Sequence, residues 1–295
     1  MPLSSLPTSK WKDELTDVNV YRRSLPYNSM FTGRPQVDAA LVQEFVQRPV
    51  FTSSRVRTQA EQETVRATVN VVRKQFETMM EVAQCLVLVD DSPVSVILSW
   101  YQPDDTPLFG GAQGGGISAL EHIYRFGVTA KDFDQDSVKS LLSNYFRLDK
   151  ATRDWLRVPL TRLNSSMVQT RTNKVNDAAI DLGIAMEALL TKERDHDAPI
   201  SYLLRLRGTL LLGGNPDIRR QNYYRIRELY TLRSKAAHGE SIAEVIKVPL
   251  GSNRGKRNVS APELLREGTS LCANMIRQII QRGEIPDWEA TVIGW

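Results

Sequence analysis

Cysteine and histidine are scarce in this sequence, which has two cysteines and three histidines among its 295 residues. The cysteines, Cys85 and Cys272, lie far apart and form no Cys-x-x-Cys pair. This spacing argues against a disulfide framework and against a cysteine-rich zinc site. Such sparse use of cysteine is typical of proteins that work in a reducing cytosol.

Long apolar runs are missing as well. No apolar stretch approaches the roughly 18 residues that a membrane span needs, and residues 1–10 lack the apolar core of a signal peptide. We therefore expect a soluble, cytoplasmic protein that contacts no membrane. The net charge is only +4 and the pI about 9.0, a balance that permits contact with a polyanion but does not require it.

The first half of the chain, residues 1–149, predicts a mixed α/β region whose role is unknown. Apolar residues at spacings of three and four predict a helix from Thr58 to about Ala83. The β-rich runs Cys85–Val89 and Val94–Tyr101 flank turn residues and predict a hairpin. Residues 123–128 predict a further strand.

A glycine-rich run occupies residues 110–116. It lacks the Gly-Lys-Ser/Thr ending of a phosphate-binding loop, so we expect a flexible loop there and no nucleotide site.

The second half carries helical periodicity, and the fold class we predict is mainly α. An antiparallel helical bundle is expected over residues 150–282, followed by a tail at 283–295. Pro159 predicts a kink or break in one helix, and residues 251–259 predict a basic loop. The predicted helices are Ser137–Phe146, Lys150–Val168, Asn176–Thr191, Ile200–Leu212, Pro216–His238 and a last helix from Ser260 to Arg282.

A charged pair is predicted inside this bundle. Arg233 falls on the apolar stripe of its helix, between Tyr230 and Ala237, and an unpaired buried charge costs several kcal/mol, roughly. Glu187 lies among apolar neighbours on the helix 176–191 and also needs a partner. The simplest inference pairs Glu187 with Arg233. Such a pair could also serve only to fix the packing register of two helices.

His238 adds a group suited to proton transfer. It precedes Gly239 at the end of the helix that carries Arg233, and an imidazole titrating near neutrality can donate or accept a proton. On its own, a histidine before a terminal glycine is more often a helix-ending residue than a catalyst. His122 and His196 have no partner that the sequence identifies.

Two segments, one of which contains a six-residue motif, together resemble the HEPN superfamily. The run Arg233-Ser-Lys-Ala-Ala-His238 matches its arginine, four-residue gap, histidine motif. Residues 179–190, Ala-Ile-Asp-Leu-Gly-Ile-Ala-Met-Glu-Ala-Leu-Leu, resemble the "alEaLl" helix of ApeA-like HEPN domains. Residues 229–239 resemble the "lY-lR-k--HG" segment of the same group. The resemblance covers about residues 150–282.

This resemblance implies a dimeric helical bundle and a metal-independent endoribonuclease of a toxin–antitoxin or anti-phage defence system. Arg233 and His238 would take the catalytic positions, with Glu187 in a supporting, orienting role and no cofactor or metal. An antitoxin or a sensor protein is a candidate partner. Some HEPN toxins carry a modifiable tyrosine two residues after the histidine; Glu240 stands there, so regulation of that kind is not expected.

The spacing of the motif gives a separate reason to expect a homodimer. Residues five apart on an ideal helix point about 140° away from each other and lie about 7.5 Å apart along the axis. Arg233 and His238 of one subunit therefore do not converge easily. Two helices that cross at a two-fold axis could bring both pairs into one groove.

Basic residues close to the motif are candidates for RNA binding, because clustered cations suit phosphate contacts. Any single one of them is more often part of a solvated basic face. The predicted RNA-binding residues are Lys235, Arg225, Arg227, Arg254, Lys256 and Arg257, and Arg205, Arg207, Arg219 and Arg220 belong to the same cluster.

Two other functions remain open. HEPN-like domains can bind nucleotides or RNA, or serve as dimerisation modules, without cleaving. The chain could also be a regulatory or structural subunit of a larger defence assembly. If the chain is a nuclease, residues 1–149 would sense a trigger, bind a partner or restrain the nuclease.

Overall fold

The computed structural model describes most of the chain between Thr58 and Ile293. The described ranges are 58–94, 98–101, 114–117, 134–191, 198–242, 245–250 and 255–293. The strand predicted at residues 123–128 lies outside these ranges.

The chain divides into two compact units, one of residues 1–83 and 95–132 and the other of residues 84–94 and 133–295. The second unit contains all the predicted site residues. It is larger than the predicted 150–282 domain at both ends, because it also includes residues 84–94 and 133–149 and the tail beyond residue 282.

The described residues are mainly helical, as predicted. The helices are α1 (Gln59–Cys85), α2 (Gln135–Arg147), α3 (Lys150–Arg171), α4 (Val175–Leu190), α5 (Ile200–Leu212), α6 (Pro216–Ala237), α7 (Ala261–Arg282) and α8 (Trp288–Ile293). The strands are β1 (Leu98–Tyr101), β2 (Gly114–Ile117), β3 (Ile246–Pro249) and β4 (Lys256–Val259). No helix in the described ranges combines the length and apolar character needed to span a membrane.

The hairpin predicted around residue 90 is wrong in its first strand. Residues up to Cys85 continue α1, and Leu86–Leu88 form a short 3-10 helix with Val87 and Leu88 buried. A short apolar run fits a buried helical turn as well as a strand, so composition did not separate the two. β1 instead pairs antiparallel with β2, with Leu98 opposite Ile117. Part of the predicted flexible glycine loop is therefore a strand.

Helix ends follow the capping residues that the sequence supplies. Asp149 accepts a hydrogen bond from the Thr152 amide at 2.9 Å and begins α3. Ser260 accepts one from the Glu263 amide at 3.3 Å and begins α7. Side-chain oxygens at this position satisfy amides that have no partner within the helix.

The break predicted at Pro159 does not occur, because α3 continues through it to Arg171. A proline in a helix interior costs about 3 kcal/mol. Leu156, Leu160 and Leu163 are buried on the same helix. Burying one such side chain stabilises by about 1.5–3 kcal/mol, so three of them outweigh the proline.

α4 is the central helix, as its apolar sequence predicted. It packs against α3, α5, α6 and α7. Two polar side chains of α3 bind the backbone near its ends: Ser166 donates a hydrogen bond to the Ala178 carbonyl at 2.8 Å, and Trp155 donates one to the Ala188 carbonyl at 2.8 Å.

The segment 86–94 is fastened to the bundle by side chains of α3 and α7. Asn164 exchanges two hydrogen bonds with the backbone of Val94, at 2.7 and 2.8 Å. Arg277 donates to the Leu88 carbonyl at 2.8 Å and pairs with Asp91. Backbone groups of this segment, which belongs to no α-helix, are thereby satisfied.

The basic loop predicted at residues 251–259 is partly a strand. β3 and β4 form an antiparallel hairpin in which Ile246 lies opposite Val259. Val248 and Val259 are buried, so the hairpin presents one apolar side to the bundle. Residues 251–254 lie outside the described ranges.

Candidate functional site

The helix that carries the motif is bounded as predicted. The Asn215 side chain accepts a hydrogen bond from the Ile218 amide at 2.9 Å, and Pro216 follows at the first helical position. His238 is the C-cap, and Gly239 has φ +69°, a left-handed conformation that favours glycine. The end of α6 therefore lies directly at the motif histidine.

Arg233 and Glu187 form the ion pair that the sequence predicted. Nη2 of Arg233 lies 3.3 Å from Oε1 and 3.4 Å from Oε2 of Glu187. The side chains are half-buried, with 28% of Arg233 and 22% of Glu187 exposed. The guanidinium also lies 5.9 Å from the ring centre of Tyr230, near the limit for a cation–π contact.

This pair retains spare bonding capacity. Arg233 Nε and Glu187 Oε1 are buried and have no hydrogen-bond partner within the part of the chain that the structure describes. The guanidinium thus uses few of its five donors on Glu187. Because Nε is buried, a second acceptor can reach only donors in the exposed part of the side chain, 28% of it.

Gly183 provides the space through which the Arg233 side chain reaches Glu187. A Cβ built on Gly183 would lie 2.3 Å from Cγ of Arg233 and 3.1 Å from its Cβ. Such distances exclude any side chain at residue 183 while Arg233 keeps this position. Gly183 is one helical turn before Glu187, so the arginine crosses the backbone of α4 on its way to the carboxylate.

His238 lies on a different side of α6. It is exposed, and its backbone amide bonds to the Ser234 carbonyl at 3.1 Å. Arg233 faces α4 instead, as the separation of about 140° on a helix requires. The structure therefore does not bring Arg233 and His238 together within one chain.

An open pocket of about 330 Å³ lies between α5 and α6, and its lining residues are Ser201, Arg205, Arg227, Tyr230, Thr231 and Ser234. Arg227, Thr231, Ser234 and His238 follow spacings of four, three and four, which place them on one face of α6. The pocket thus lies one turn before His238. It was not predicted from the sequence, although this spacing could have indicated the wall that α6 provides.

The two arginines of the pocket are held by tyrosine rings. The Arg205 guanidinium lies 5.2 Å from the ring centre of Tyr223, and that of Arg227 lies 4.9 Å from the ring centre of Tyr224. Arg227 also donates to Glu228 Oε1 at 2.6 and 3.0 Å. Arg205 donates through Nε to the Ser201 carbonyl at 2.8 Å.

Two of the predicted RNA-binding residues meet at a single carboxylate. Arg225 Nε lies 3.3 Å from Oε2 of Glu267, and Arg257 pairs with Oε1 of the same residue. This arrangement ties β4 and α6 to α7. Both arginines already have a counter-charge in the protein, which weakens their suitability for phosphate contacts.

The other predicted RNA-binding residues are scattered. Lys235 is half-buried on α6, and Lys256 is exposed on β4. Arg254 lies outside the described ranges. Arg219 is exposed and donates to the Gly214 carbonyl at 2.7 Å. Arg220 is exposed near the start of α6.

Arg207 is not a surface cation, contrary to its place in the predicted cluster. It is 7% exposed, donates to the Leu190 carbonyl at 2.8 Å, and its guanidinium lies 5.2 Å from the ring centre of Trp288. It therefore joins the end of α4 to α8. Its burial follows from facing the core side of α5, where Leu203, Leu204 and Leu211 are also buried.

The apolar stripe expected beside Arg233 is corrected at Ala237. Ala237 is exposed, because the buried positions of α6 are Asn222, Ile226, Leu229, Leu232 and Ala236. Asp181 of α4 is buried and pairs with Arg162 at 2.9 Å. That partner lies on α3, and nothing in the spacing of the sequence indicated it.

The remaining histidines, His122 and His196, lie outside the described ranges. Among the residues that the structure does describe, no group of three or more His, Cys, Asp or Glu side chains is arranged to hold a metal ion.

Comparison with protein-family models, with curated proteins and with solved structures finds no match for this chain. The likeness of residues 150–282 to HEPN domains therefore remains an expectation from the motif segments.

Proposed function

We propose that the second unit is a HEPN-type helical bundle and that the chain is a metal-independent endoribonuclease. Arg233, His238 and Glu187 are its proposed active residues. The observation that supports this best is that Arg233 and His238 occupy two different environments on α6. Glu187 fixes Arg233 through the opening at Gly183, while His238 stands exposed at the end of the same helix.

RNA supplies its own nucleophile, the 2′-hydroxyl group. His238 acts either as the general base that takes the proton of the 2′-hydroxyl or as the general acid that gives a proton to the leaving 5′-oxygen. Arg233 donates its remaining N–H groups to the phosphate and stabilises the charge that develops as the P–O bond breaks. The products are a 2′,3′-cyclic phosphate and a 5′-hydroxyl.

Catalysis of this kind needs two copies of the chain. The two groups point in directions about 140° apart on one helix, so a single copy does not place both on one phosphate. A two-fold axis beside the end of α6 would set His238 of one copy against Arg233 of the other. We therefore propose a homodimer as the active form.

The biological role we propose is that of a toxin or anti-phage defence effector. This follows from the resemblance to catalytic HEPN proteins. The first unit would then sense the trigger or restrain the nuclease, and an antitoxin or sensor protein is the candidate partner.

Cleavage of single-stranded RNA in EDTA tests the proposal. The wild-type chain, His238→Ala, Arg233→Ala and the control Arg157→Gln would be compared, with end-group analysis of the products. Arg157 suits the control because 61% of its side chain is exposed on α3. We expect chelator-resistant cutting by the wild type and the control, and loss of at least about 100-fold in the other two. Equal cutting by all four would refute the proposed site.

A second candidate is a non-catalytic RNA-binding or dimerisation module. The ion pair between Arg233 and Glu187 favours this alternative, since a half-buried ion pair can have a purely structural role. That role would be to fix the register in which α4 and α6 pack. Binding of RNA by the wild-type chain without any cutting, in the absence of an antitoxin, would decide for this alternative.

A further inference from the structure

We propose that the pocket between α5 and α6 binds a phosphate group of the RNA backbone, next to the linkage at which His238 would transfer protons. The pocket is the one lined by Ser201, Arg205, Arg227, Tyr230, Thr231 and Ser234. The choice of RNA as the ligand rests on the proposed function. The affinity of the pocket for phosphate does not depend on it.

The lining has the chemistry of an anion site. It contributes two guanidinium groups and four hydroxyl groups, and no carboxylate is part of it. Glu228 neutralises one charge by pairing with Arg227, so one cationic charge remains on the wall. The Thr231 hydroxyl already donates to the Arg227 carbonyl at 3.0 Å. A phosphate oxygen could accept hydrogen bonds from Arg205 and from the hydroxyl groups of Ser201, Tyr230 and Ser234.

Arg205 is the main ligand that we infer. Its Nε is used by the Ser201 carbonyl, and its guanidinium is fixed over Tyr223. Its two terminal amino groups carry no hydrogen bond to any of the described residues. Because the side chain is already ordered, binding a phosphate would cost it little conformational entropy.

The two supporting rings brace each other. Tyr223 and Tyr224 meet edge to face, with ring centres 5.7 Å apart and planes at 85°. Tyr223 holds Arg205, and Tyr224 holds Arg227. The cations of the pocket are thus held in place by a pair of rings before any ligand arrives.

The size and position of the pocket favour a segment of a chain over a large ligand. Its volume of about 330 Å³ lies at the small end of the range for ligand clefts. It is open to solvent, and its α6 wall, formed by Arg227, Thr231 and Ser234, lies on the helix face that His238 continues by its spacing. A strand held here by one phosphate would present its next linkage to the end of the helix.

Binding can be measured separately from cleavage with a labelled 2′-O-methyl oligonucleotide, which has no free 2′-hydroxyl to attack. The variants are Arg205→Gln and Thr231→Glu, with Arg157→Gln as a control that removes the same charge on α3. Thr231 is exposed, so the glutamate adds a repelling carboxylate to the pocket without disturbing the core. Thermal unfolding of each variant by circular dichroism confirms that it is folded.

We expect Arg205→Gln and Thr231→Glu to weaken binding roughly tenfold or more, while Arg157→Gln binds as the wild type does. The slope of log affinity against log salt should fall by about 0.7 for each phosphate that a variant no longer binds. Unchanged binding in both pocket variants, equal weakening in the control, or a wild-type chain that binds no oligonucleotide would overturn the proposal.

Two further arms separate the remaining possibilities. Inorganic phosphate and a nucleoside monophosphate are used as competitors, and displacement at concentrations near the dissociation constant of the oligonucleotide would show a small anion as the ligand and overturn the RNA assignment. His238→Ala should bind the oligonucleotide normally. A chain that shows the expected binding pattern but never cuts RNA would refute the proposed nuclease and leave the phosphate pocket standing.

Discussion

Arg233 reaches Glu187 across the backbone of α4 at Gly183, and its Nη2 ends 3.3 Å from Oε1 of the carboxylate. Because Gly183 has no side chain, the guanidinium of Arg233 can reach the carboxylate of Glu187. This arrangement holds the arginine of the motif in a defined position at the junction of α4 and α6. His238 stands exposed on another side of α6 and takes no part in this contact.

Gly183→Ala should destabilise the protein by about 1–3 kcal/mol, because the new Cβ would overlap Cγ of Arg233. The same substitution in an Arg233→Ala background should be neutral or mildly stabilising, since alanine favours a helix over glycine by about 1 kcal/mol. Urea unfolding of the four proteins in this double-mutant cycle measures the coupling. Equal costs in both backgrounds would show that the two residues do not compete for space.

Glu187→Gln should lower the free energy of unfolding by roughly 1–2 kcal/mol, because it leaves the half-buried Arg233 without a counter-charge. The amide keeps the shape of the side chain, so the packing of α4 should persist. In the nuclease assay we expect a lower kcat with little change in KM, since the arginine loses its orientation and the pocket beside α5 is untouched. A change confined to KM would argue against an orienting role.

Cys272 should be unreactive in the folded protein. Burial raises the pKa of its thiol to about 12, and the carboxylate of Asp91 adds to the rise. A thiol reagent at pH 8 should label neither Cys272 nor the buried Cys85 until urea unfolds the chain. Labelling at the rate of a free thiol under native conditions would contradict this.

The same shift makes stability depend on pH. The folded-state pKa lies above the unfolded value of about 8.5, so the unfolded state loses its proton first. The contribution of Cys272 is fully present below about pH 8.5 and is lost as the pH rises towards 12, at about 1.4 kcal/mol per pH unit. Between about pH 8.5 and 12, the free energy of unfolding of Cys272→Ala should therefore fall less steeply than that of the wild type.

Arg225 and Arg257 should matter more for stability than for RNA binding, because both already pair with Glu267. We expect Arg225→Gln to lower the free energy of unfolding by about 1 kcal/mol and to change oligonucleotide affinity less than about twofold. Arg205→Gln, measured in the same experiments, should instead weaken oligonucleotide binding and change the free energy of unfolding little. A loss of affinity of about tenfold in Arg225→Gln would contradict this prediction. It would mean that the ion pair between Arg225 and Glu267 opens when RNA binds.

Helix positions were largely predictable because local chemistry sets them. Asn215, Ser260 and Gly239 begin or end helices through their own hydrogen bonds and dihedral angles, and each lies where the sequence indicated. The pairing of Glu187 with Arg233 was predictable for a similar reason, since each charge was out of place among apolar neighbours.

Features that depend on packing between distant segments were not predictable. The partner of Asp181 is on α3, and the role of Gly183 depends on how close α6 approaches α4. The burial of Arg207 depends on Trp288 in a helix that the sequence did not reveal. The pocket beside α5 likewise needs two helices in contact before it exists.

The most direct test measures RNA cleavage by an equimolar mixture of the Arg233→Ala and His238→Ala chains. Each variant alone and the wild type are measured alongside. If an arginine and a histidine from two subunits act on one phosphate, mixed dimers regain an Arg233 and a His238, and the cleavage rate should rise well above that of either variant. A mixture no faster than the mean of its components, under conditions where the wild type cuts and subunits exchange, would contradict a cleft shared between subunits.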